Sequence, residues 1–296
     1  MIVDFHVHST ASDGTFAPRD IAADAARGGF AAIALTDHDN CDGIDEFLGA
    51  EIGLKKVAGV ELSIEPGVGF DKFHLLALGI DPANESLKAF LKAFLKSILD
   101  GRNARNERIV GNFRRIGIEM VDVPKGTRPV EDYAHGDVLA RPHFARWLVD
   151  NGYAADIVGA FEMYLLPDSP AETRCYEERY HPSQEESFRV VHAAGGLCVM
   201  AHPKYWRREW KTTGPDYAAA ERELARLKEA GLDGLEAFYR ANSVEENVSF
   251  SHIADALGLI KSAGSDFHGA NKPTIPLGME VSESFAAPLL ERLNLV

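Results

Sequence analysis

Short apolar runs recur along the chain, and polar residues, glycine or proline bound each of them. Runs of four to eight apolar residues without strict alternation are typical of strands that are buried on both faces of a sheet. We predict seven such strands, over residues 2–8, 31–36, 56–62, 73–79, 196–201, 234–238 and 260–265. Segments with helical spacing separate most of them, so the pattern indicates an α/β fold.

The helical segments carry their own start and stop signals. One begins at Pro18 and ends at Gly28, and the segment over residues 216–231 is strongly amphipathic and ends at Gly231. Residues 86–116 and 140–166 also have helical spacing, and no buried strand is predicted between residues 79 and 195. We therefore predict a helical insertion, or cap, over residues 84–178, carried by a β/α body of residues 1–83 and 179–296.

Composition narrows the function classes. The chain has 296 residues, 46% of them apolar, which is enough for a large core. A formal net charge of -14 argues against a coat that binds duplex nucleic acid, because phosphate backbones require a basic surface. We expect no membrane span and no signal peptide. Three cysteines without CxxC spacing favour a reducing cytoplasm, and nothing indicates an oligomeric state.

Potential metal ligands recur where the predicted strands end. Six of the eleven histidines lie there, in "DFHVHSTASD", "LTDHD", "DKFHLLALG", "VMAHP" and "SAGSDFHG". Side chains two apart on a strand point to the same side, so His6 and His8 would lie about 7 Å apart along it. The carboxyl ends of barrel strands form one mouth, where such folds build active sites. The candidate ligands are His6, His8, Asp13, His38, Glu61, His74, His202, Asp266 and His268.

Nine donors are too many for one tetrahedral ion. Imidazole and carboxylate without thiolate suit Mn, Zn or Fe, so we predict two or three divalent ions. A single histidine at a strand end is more often a structural residue. Two pairs with one residue between their members, together with single donors on four other strands, are hard to reach by chance.

These segments resemble a known family. "DFHVHSTASDGT", "ALTDHDN", "GVELS", "HLLALG", "MAHP" and "AGSDFHG" are similar to the motifs of the polymerase-and-histidinol-phosphatase (PHP) superfamily. The resemblance implies a metal-dependent phosphoesterase on a distorted (β/α)7 barrel. "LARPHFARWLVDNGY" resembles the cap of a branch that acts on 5′-AMP, on nucleoside 3′,5′-bisphosphates and on the 5′ end of short RNA.

The resemblance also implies roles for individual residues. One ion would be held by His6, His8, Glu61 and Asp266, and a second by Glu61, His74 and His202. A third would be held by Asp13, His38 and His268. In the cap, Arg141 and His143 match residues that contact the phosphate and sugar of the substrate. The segments "HPKYWRREWKTTGPDY" and "PAETRCYEE" depart from the pattern of this branch.

The implied reaction is hydrolysis of a phosphate monoester by a metal-bridging hydroxide that attacks phosphorus in line. His202, Asp37 or the third ion would protonate or bind the leaving alkoxide. Asp37 is also a candidate for orienting a ligand imidazole. Arg141 offers a planar fork that suits a phosphate group.

Further substrate contacts are predicted from position alone. Arg174 and Lys204 are weaker phosphate candidates, and Asn242 follows the sixth strand. Three arginines spaced three apart are interpreted mainly as an exposed helix face, although they could reach toward an anionic ligand: Arg102, Arg105 and Arg108. Four histidines in polar contexts are interpreted as bystanders: His135, His181, His192 and His252. We expect Trp206 and Trp210 to anchor a long loop by hydrophobic packing.

Other functions remain open at this point. The alternatives are a phosphatase for histidinol phosphate or another sugar or amino-alcohol phosphate, an amidohydrolase that cleaves a C–N bond, and a noncatalytic metal-binding module. The absence of a lysine at the mouth on any predicted strand speaks against a carbamylated-lysine amidohydrolase. The complete ligand set speaks against the noncatalytic module. The preferred substrate is a small nucleotide or the end of a short RNA.

Overall fold

The computed structural model of the chain describes residues 1–65, 72–80, 85–134, 138–207 and 209–295, with the backbone alone described for residues 85–91 and 211. Among these residues one sheet contains eight strands. The strands are β1 (Ile2–Asp4), β2 (Ala32–Leu35), β3 (Lys55–Ile64), β4 (Phe73–Leu78), β5 (Leu197–Met200), β6 (Gly234–Tyr239), β7 (Ile260–Gly264) and β8 (Met279–Glu280). The first seven confirm the predicted strands.

The sheet runs in the order β7-β6-β5-β4-β3-β2-β1-β8 and curls so that β1 meets β7. Phe5 N–H donates to the Ala263 carbonyl at 2.9 Å, and Asp266 N–H donates to the His6 carbonyl at 2.9 Å. A further parallel bridge joins Val7 to Phe267. These bonds nearly close a barrel, as predicted. Strand β8 was not predicted, because two residues paired antiparallel to β1 are too short for a periodic signal.

Strand β4 runs antiparallel to both of its neighbours, β3 and β5. The apolar run that predicts this strand contains no information on its direction. The reversal changes the place of His74, which is the second residue of β4 and pairs with Ser63 near the end of β3. His74 thus reaches the same mouth as the other donors from the start of its strand instead of from its end.

Ten α-helices lie within the described residues. They are α1 (Pro18–Arg27), α2 (Ile44–Gly49), α3 (Glu85–Arg115), α4 (Arg141–Asp150), α5 (Ile157–Ala160), α6 (Gln184–Ala193), α7 (Trp210–Thr213), α8 (Tyr217–Glu229), α9 (Val244–Leu257) and α10 (Glu283–Arg292). The predicted helices at residues 18–28 and 216–231 are α1 and α8. Asp216 caps α8 by accepting a hydrogen bond from Ala219 N–H. No described helix combines the length and the apolar character that crossing a membrane requires.

Helix α3 joins two hydrophobic cores. In its first half, Phe94, Leu95 and Ile98 pack into the barrel core. In its second half, Ile109 and Phe113 belong to a separate core, which also contains residues of α4, α5 and the segment up to Cys175. The side chains of the predicted stripe residues Leu87, Phe90 and Leu91 lie outside the described residues.

The predicted cap boundary at residue 84 also lies outside the described residues, and the limits 84–178 stay a prediction. The packing instead divides the chain inside α3, between Ile98 and Ile109. Trp206 and Trp210 are both buried in the barrel core. This matches the expectation that they anchor the loop after β5.

Candidate metal centre and substrate cavity

Glu61 lies at the centre of the barrel mouth, near the end of β3. Three ring nitrogens lie close to its Oε2, from His6 at 3.2 Å, His8 at 3.1 Å and His38 at 3.0 Å. Its Oε1 lies 2.7 Å from Nδ1 of His74 and 3.1 Å from Nε2 of His202. Five imidazoles from four parts of the chain therefore surround one buried carboxylate.

Two more carboxylates complete the cluster. Asp266 Oδ1 lies 3.7 Å from His6 Nε2 and 3.5 Å from His8 Nε2. Asp13 Oδ1 lies 3.3 Å from His268 Nε2. Potential donor atoms group within 4.8 Å of one another in four overlapping sets. These sets are His8-Asp13-His38-His268, His6-Glu61-His202, His6-His8-Asp266 and His38-Glu61-His74. The structure thus brings all nine predicted donors together, whereas their division among ions stays a prediction.

The donor atoms fit divalent metal ions. Among the described residues, several buried atoms of the cluster form no hydrogen bond: His6 Nε2, both ring nitrogens of His8, His38 Nδ1 and Glu61 Oε2. Buried polar atoms without partners are costly, and here they converge on a common space. Nitrogen and carboxylate oxygen without thiolate is a donor set for Mn, Zn or Fe.

The electrostatics of the centre follow from burial and from these short contacts. Burial alone would raise the pKa of Glu61, but His6, His38 and His74 outweigh it and hold the pKa well below its usual value. Burial lowers the pKa of His6, yet Glu61, Glu236 and Asp266 outweigh burial and raise it well above normal. The pKa of His8 is lowered by burial and by the neighbouring histidines. The centre thus keeps its carboxylates ionised.

Glu236 supports this centre and was not predicted. It is fully buried on β6, and its Oε1 lies 3.0 Å from Nδ1 of His6. Its Oε2 accepts a hydrogen bond from the His202 N–H at 2.6 Å. A buried carboxylate behind a ligand histidine fixes the ring and its tautomer. The signal was present in the sequence, as an acid inside the otherwise apolar segment "GLEAF".

The described contacts of Asp37 differ from those expected of a residue that orients an imidazole. Its Oδ1 accepts hydrogen bonds from Ser9 N–H at 2.8 Å and from the Ser12 hydroxyl at 2.6 Å, and its Oδ2 accepts one from the Ser9 hydroxyl at 2.6 Å. These partners belong to the loop between His8 and Asp13. The described contacts of Asp37 thus hold the loop that carries Asp13.

Four arginines form the cap side of a cavity whose other side is the donor cluster. The cavity has a volume of about 200 Å³. Asp13, His38 and His74 line it from the barrel. From the cap and the segment that follows it, the lining guanidinium groups are those of Arg102, Arg105, Arg141 and Arg179. One ligand could therefore touch both the donor cluster and the arginines.

The prediction that three arginines form an exposed face of α3 is wrong for two of them. Arg102 and Arg105 are 5% and 3% exposed, whereas Arg108 is exposed and pairs with Glu177. Spacing by three residues is typical of a solvated helix face, but the barrel mouth covers this part of α3. Arg179 was not predicted at all.

Asp39 neutralises part of this arginine cluster. Arg102 and Arg179 both donate to its Oδ2, the latter at 2.9 Å. Its Oδ1 accepts from Ser63 N–H at 3.2 Å. Burial alone would raise the pKa of Asp39, but Arg179 and Arg102 outweigh it and hold the pKa far below its usual range.

No carboxylate in the described part of the chain pairs with Arg105 in this way. Its Nε is buried and forms no hydrogen bond with any described residue. Burial, with Arg102 and Arg141 next in effect, lowers the pKa of Arg105 to about 8. A buried guanidinium that faces other guanidiniums favours the binding of an anion.

The two predicted cap residues have different surroundings. Arg141 lines the cavity, with its guanidinium carbon 5.4 Å from the ring centre of Tyr176. His143 does not line it. Its Nδ1 accepts a hydrogen bond from Ala140 N–H at 2.9 Å, which caps α4, and its side chain borders a separate cavity beside Arg146.

Three further predicted contacts lie away from the cavity. Arg174 is exposed and donates to the Pro167 carbonyl at 3.0 Å. Lys204 donates to Glu246 at 2.8 Å and to the Ala241 carbonyl. Asn242 donates to Asn247 at 3.0 Å. These residues follow the right strands or segments, but local partners hold them elsewhere.

The four histidines interpreted as bystanders also differ among themselves. His181 lines the cavity, and burial lowers its pKa to about 4. His192 pairs with Asp233 at 2.7 Å, away from the mouth, and His252 lies on α9. His135 lies outside the described residues.

Known proteins share these features. The PHP domain family matches residues 4–121. A 3′,5′-nucleoside bisphosphate phosphatase of Chromobacterium violaceum is 34% identical over 268 residues, which cover 90% of this chain and 87% of that protein. A 5′-3′ exoribonuclease of Haemophilus influenzae is 30% identical over 270 residues, which cover 90% of this chain and 89% of that protein.

Among solved structures, an amidohydrolase from Chromobacterium violaceum with bound sulfate and no metal has a TM-score of 0.80 at 31% identity. The similarity covers 98% of this chain and 96% of that one. The solved structure confirms the predicted barrel, and the two relatives confirm the predicted enzyme class, a phosphoric ester hydrolase. The family model matches residues 4–121, and the similarity to the two relatives and to the solved structure extends over at least nine-tenths of the chain. The chain therefore belongs to the PHP domain family.

Proposed function

We propose that the chain hydrolyses a phosphate monoester of a small nucleotide, with a nucleoside 3′,5′-bisphosphate as its best substrate. The observation that carries this proposal is the shared cavity, where Asp13, His38 and His74 of the nine-residue donor cluster face four arginines. Two or three ions of Mn, Zn or Fe would be held by the nine donors. When bound, such ions activate water and neutralise the charge of a phosphate group.

The chain's own residues supply binding and orientation. Glu61 offers different oxygens to two sets of imidazoles, which supports a bridging role between ions. Glu236 holds the His6 ring and the His202 backbone. For Asp37 we propose a positioning role through Ser9 and Ser12. His202 remains the candidate for handling the leaving alkoxide, because its ring is partly exposed at the mouth.

Two arginines support a second phosphate group on the substrate. Asp39 forms ion pairs with Arg102 and Arg179 and neutralises part of their charge, so these two arginines attract an anionic ligand less strongly. The buried Nε of Arg105 forms no described hydrogen bond, and Arg141 donates to the Leu165 carbonyl at 3.3 Å. Both arginines line the cavity, where Glu178 is the acidic residue that acts on Arg141. Guanidinium groups bind phosphate through paired N–H donors. A substrate with two phosphate groups could place one at the donor cluster and the other at these arginines, and would thus bind to both sides of the cavity.

Aromatic rings complete the nucleotide interpretation. Phe161 and Tyr176 line the cavity beside Arg141 and offer flat apolar faces to a base. The names of the two relatives, a nucleoside bisphosphate phosphatase and an exoribonuclease, support a nucleotide or the end of a short RNA. The cytoplasm remains the proposed compartment, because Cys41, Cys175 and Cys198 form no disulfide in the described part of the chain.

The test is phosphate release in the presence of Mn²⁺ from adenosine 3′,5′-bisphosphate, 5′-AMP and histidinol phosphate in parallel. We expect the bisphosphate to exceed the other two by about a hundredfold in kcat/KM, which is about 2.7 kcal/mol of transition-state discrimination. The nucleoside monophosphate that remains identifies which ester is cleaved. Preference for histidinol phosphate would overturn the nucleotide assignment. No phosphate release from any of the three, with Mn²⁺ bound, would direct attention to C–N hydrolysis.

A further inference from the structure

The two carboxylate oxygens of Asp266 have different surroundings. Oδ1 faces the donor cluster, 3.5 Å from His8 Nε2 and 3.3 Å from His268 Nδ1. Oδ2 accepts hydrogen bonds from the Tyr239 hydroxyl at 2.9 Å and from the Lys272 ammonium at 2.6 Å. One oxygen is therefore directed at the candidate metal centre, and two donors occupy the other.

The two donors reach Asp266 from separate elements. Tyr239 is the last residue of β6, and its side chain is buried. Lys272 follows the short 3-10 turn at Gly269–Asn271, and its side chain is 39% exposed. Asp266 itself has a φ of 60°, in the left-handed region that non-glycine residues rarely adopt. Such a conformation persists where several contacts hold it, and these two hydrogen bonds are among them.

A carboxylate oxygen has two lone pairs, and a hydroxyl and an ammonium that donate to Oδ2 use both of them. Asp266 then cannot turn its second oxygen toward an ion without losing two hydrogen bonds. The positive charge of Lys272 also offsets part of the negative charge of a centre that contains three acidic candidate ligands, Asp13, Glu61 and Asp266.

We propose that Tyr239 and Lys272 are positioning residues that keep Asp266 a one-oxygen ligand and thereby set the affinity of one metal position. This inference rests on the metal-dependent function proposed above. It assigns a purpose to two side chains that are neither metal donors nor part of the cavity lining. It also predicts that their removal affects metal binding more than substrate binding.

The test uses Tyr239→Phe and Lys272→Met, with Mn²⁺ binding followed by the electron paramagnetic resonance signal of the free ion. We expect each variant to weaken one Mn²⁺ position by about tenfold to a hundredfold, with KM for the nucleotide unchanged at saturating Mn²⁺. Because both donors share one oxygen, the double variant should lose less than the product of the two single losses. Lys272→Arg keeps the charge and should recover most of the affinity.

Tyr205→Phe is the matched control, because the Tyr205 ring lies 5.9 Å from the Tyr239 ring and makes no described contact with Asp266. Wild-type Mn²⁺ affinity in both Tyr239→Phe and Lys272→Met would overturn the inference and leave the proposed hydrolysis intact. The proposed function and the inference can fail separately. If the wild-type protein cleaves no phosphate ester but both variants bind Mn²⁺ more weakly than it does, the proposed function is overturned and the inference is supported. Circular dichroism on each variant identifies loss of fold.

Discussion

Arg179 donates a hydrogen bond to Oδ2 of Asp39 at 2.9 Å, and Arg102 donates to the same oxygen. Asp39 belongs to the barrel mouth, whereas Arg102 belongs to α3 and Arg179 to the segment that returns from the cap. All three side chains are less than a tenth exposed. This buried pair of contacts joins α3 and the segment that follows the cap to the residue next to His38.

We expect Asp39→Asn to destabilise the protein by about 3–5 kcal/mol, because it leaves two buried guanidiniums without a counter-charge. Asparagine keeps the shape and tolerates the φ of 55° at this position. Urea unfolding measures the change. Asp42→Asn, on the exposed side of the same loop, is the control and should change stability by less than about 0.5 kcal/mol. Equal stabilities for the two variants would contradict this role.

Arg105→Met should impair function without impairing the fold. The lost guanidinium would cost about 1.5–3 kcal/mol of phosphate binding, or roughly tenfold to a hundredfold in kcat/KM for the bisphosphate. The free energy of unfolding should stay the same or rise, because a buried charge without a partner is removed. Arg108→Met, one turn away on the exposed side of α3, should leave both quantities near wild type. A loss of stability in Arg105→Met with full activity would refute the assignment.

Glu61→Gln tests the centre of the cluster. The amide keeps the size of the side chain but removes the charge that five imidazoles contact. We expect metal content, measured by inductively coupled plasma mass spectrometry, to fall by at least one ion. Phosphate release should fall by about a hundredfold or more, since removal of even an outer support of a ligand costs about tenfold to a hundredfold. Retention of full metal content and rate would exclude a ligand role for Glu61.

Metal binding should be coupled to proton release. Burial lowers the pKa of His38 in the metal-free protein, but Glu61 and Asp13 outweigh burial and raise it to about 9. His38 therefore carries a proton at neutral pH that an ion must displace. We expect the apparent Mn²⁺ affinity to increase by up to about tenfold per pH unit between roughly pH 6 and 8. Calorimetry in buffers of different ionisation enthalpy counts the protons, and a value of zero would contradict the ligand role of His38.

Gly264 allows the close packing behind His6. A Cβ at this position would lie 2.1 Å from Glu236 Oε1 and 2.4 Å from His6 Cβ, and both of those side chains are fully buried. Gly264→Ala should therefore cost about 1–3 kcal/mol of stability and weaken metal binding. Gly111→Ala is the contrast, because this helical position has open space around it and should gain about 0.5–1 kcal/mol. Thermal unfolding with and without Mn²⁺ separates the two effects.

The metal donors could be predicted because the signal is local. Pairs such as His6 and His8 sit two apart at the end of an apolar run, and the barrel rule brings strand ends to one mouth. The arginines could not be predicted in this way. Arg102 and Arg105 have the spacing of an exposed face, and only the tertiary contact between α3 and the barrel mouth buries them.

The same limit explains the smaller differences. In "LTDHD" the two aspartates look equivalent, yet Asp37 faces serines of its neighbouring loop, whereas Asp39 faces Arg102 and Arg179. Which of them meets the cap depends on the left-handed turn at Asp39. The direction of β4 depends on its partners, because an apolar run reads equally well in both directions.

Helix α3 passes from one core to the other without a break, and this continuity links the geometry of the substrate site to the length of the chain. Ile98 is fixed in the barrel core, and Arg102 and Arg105 face the cavity one and two turns further on. An α-helix turns by about 100° per residue, so a single insertion between Ile98 and Arg102 would swing both guanidiniums away from the mouth. An insertion between Arg108 and Phe113 would leave Arg102 and Arg105 in place, but it would turn the second core, next to which Arg141 lines the cavity. The stretch of α3 between the two cores must therefore keep its length.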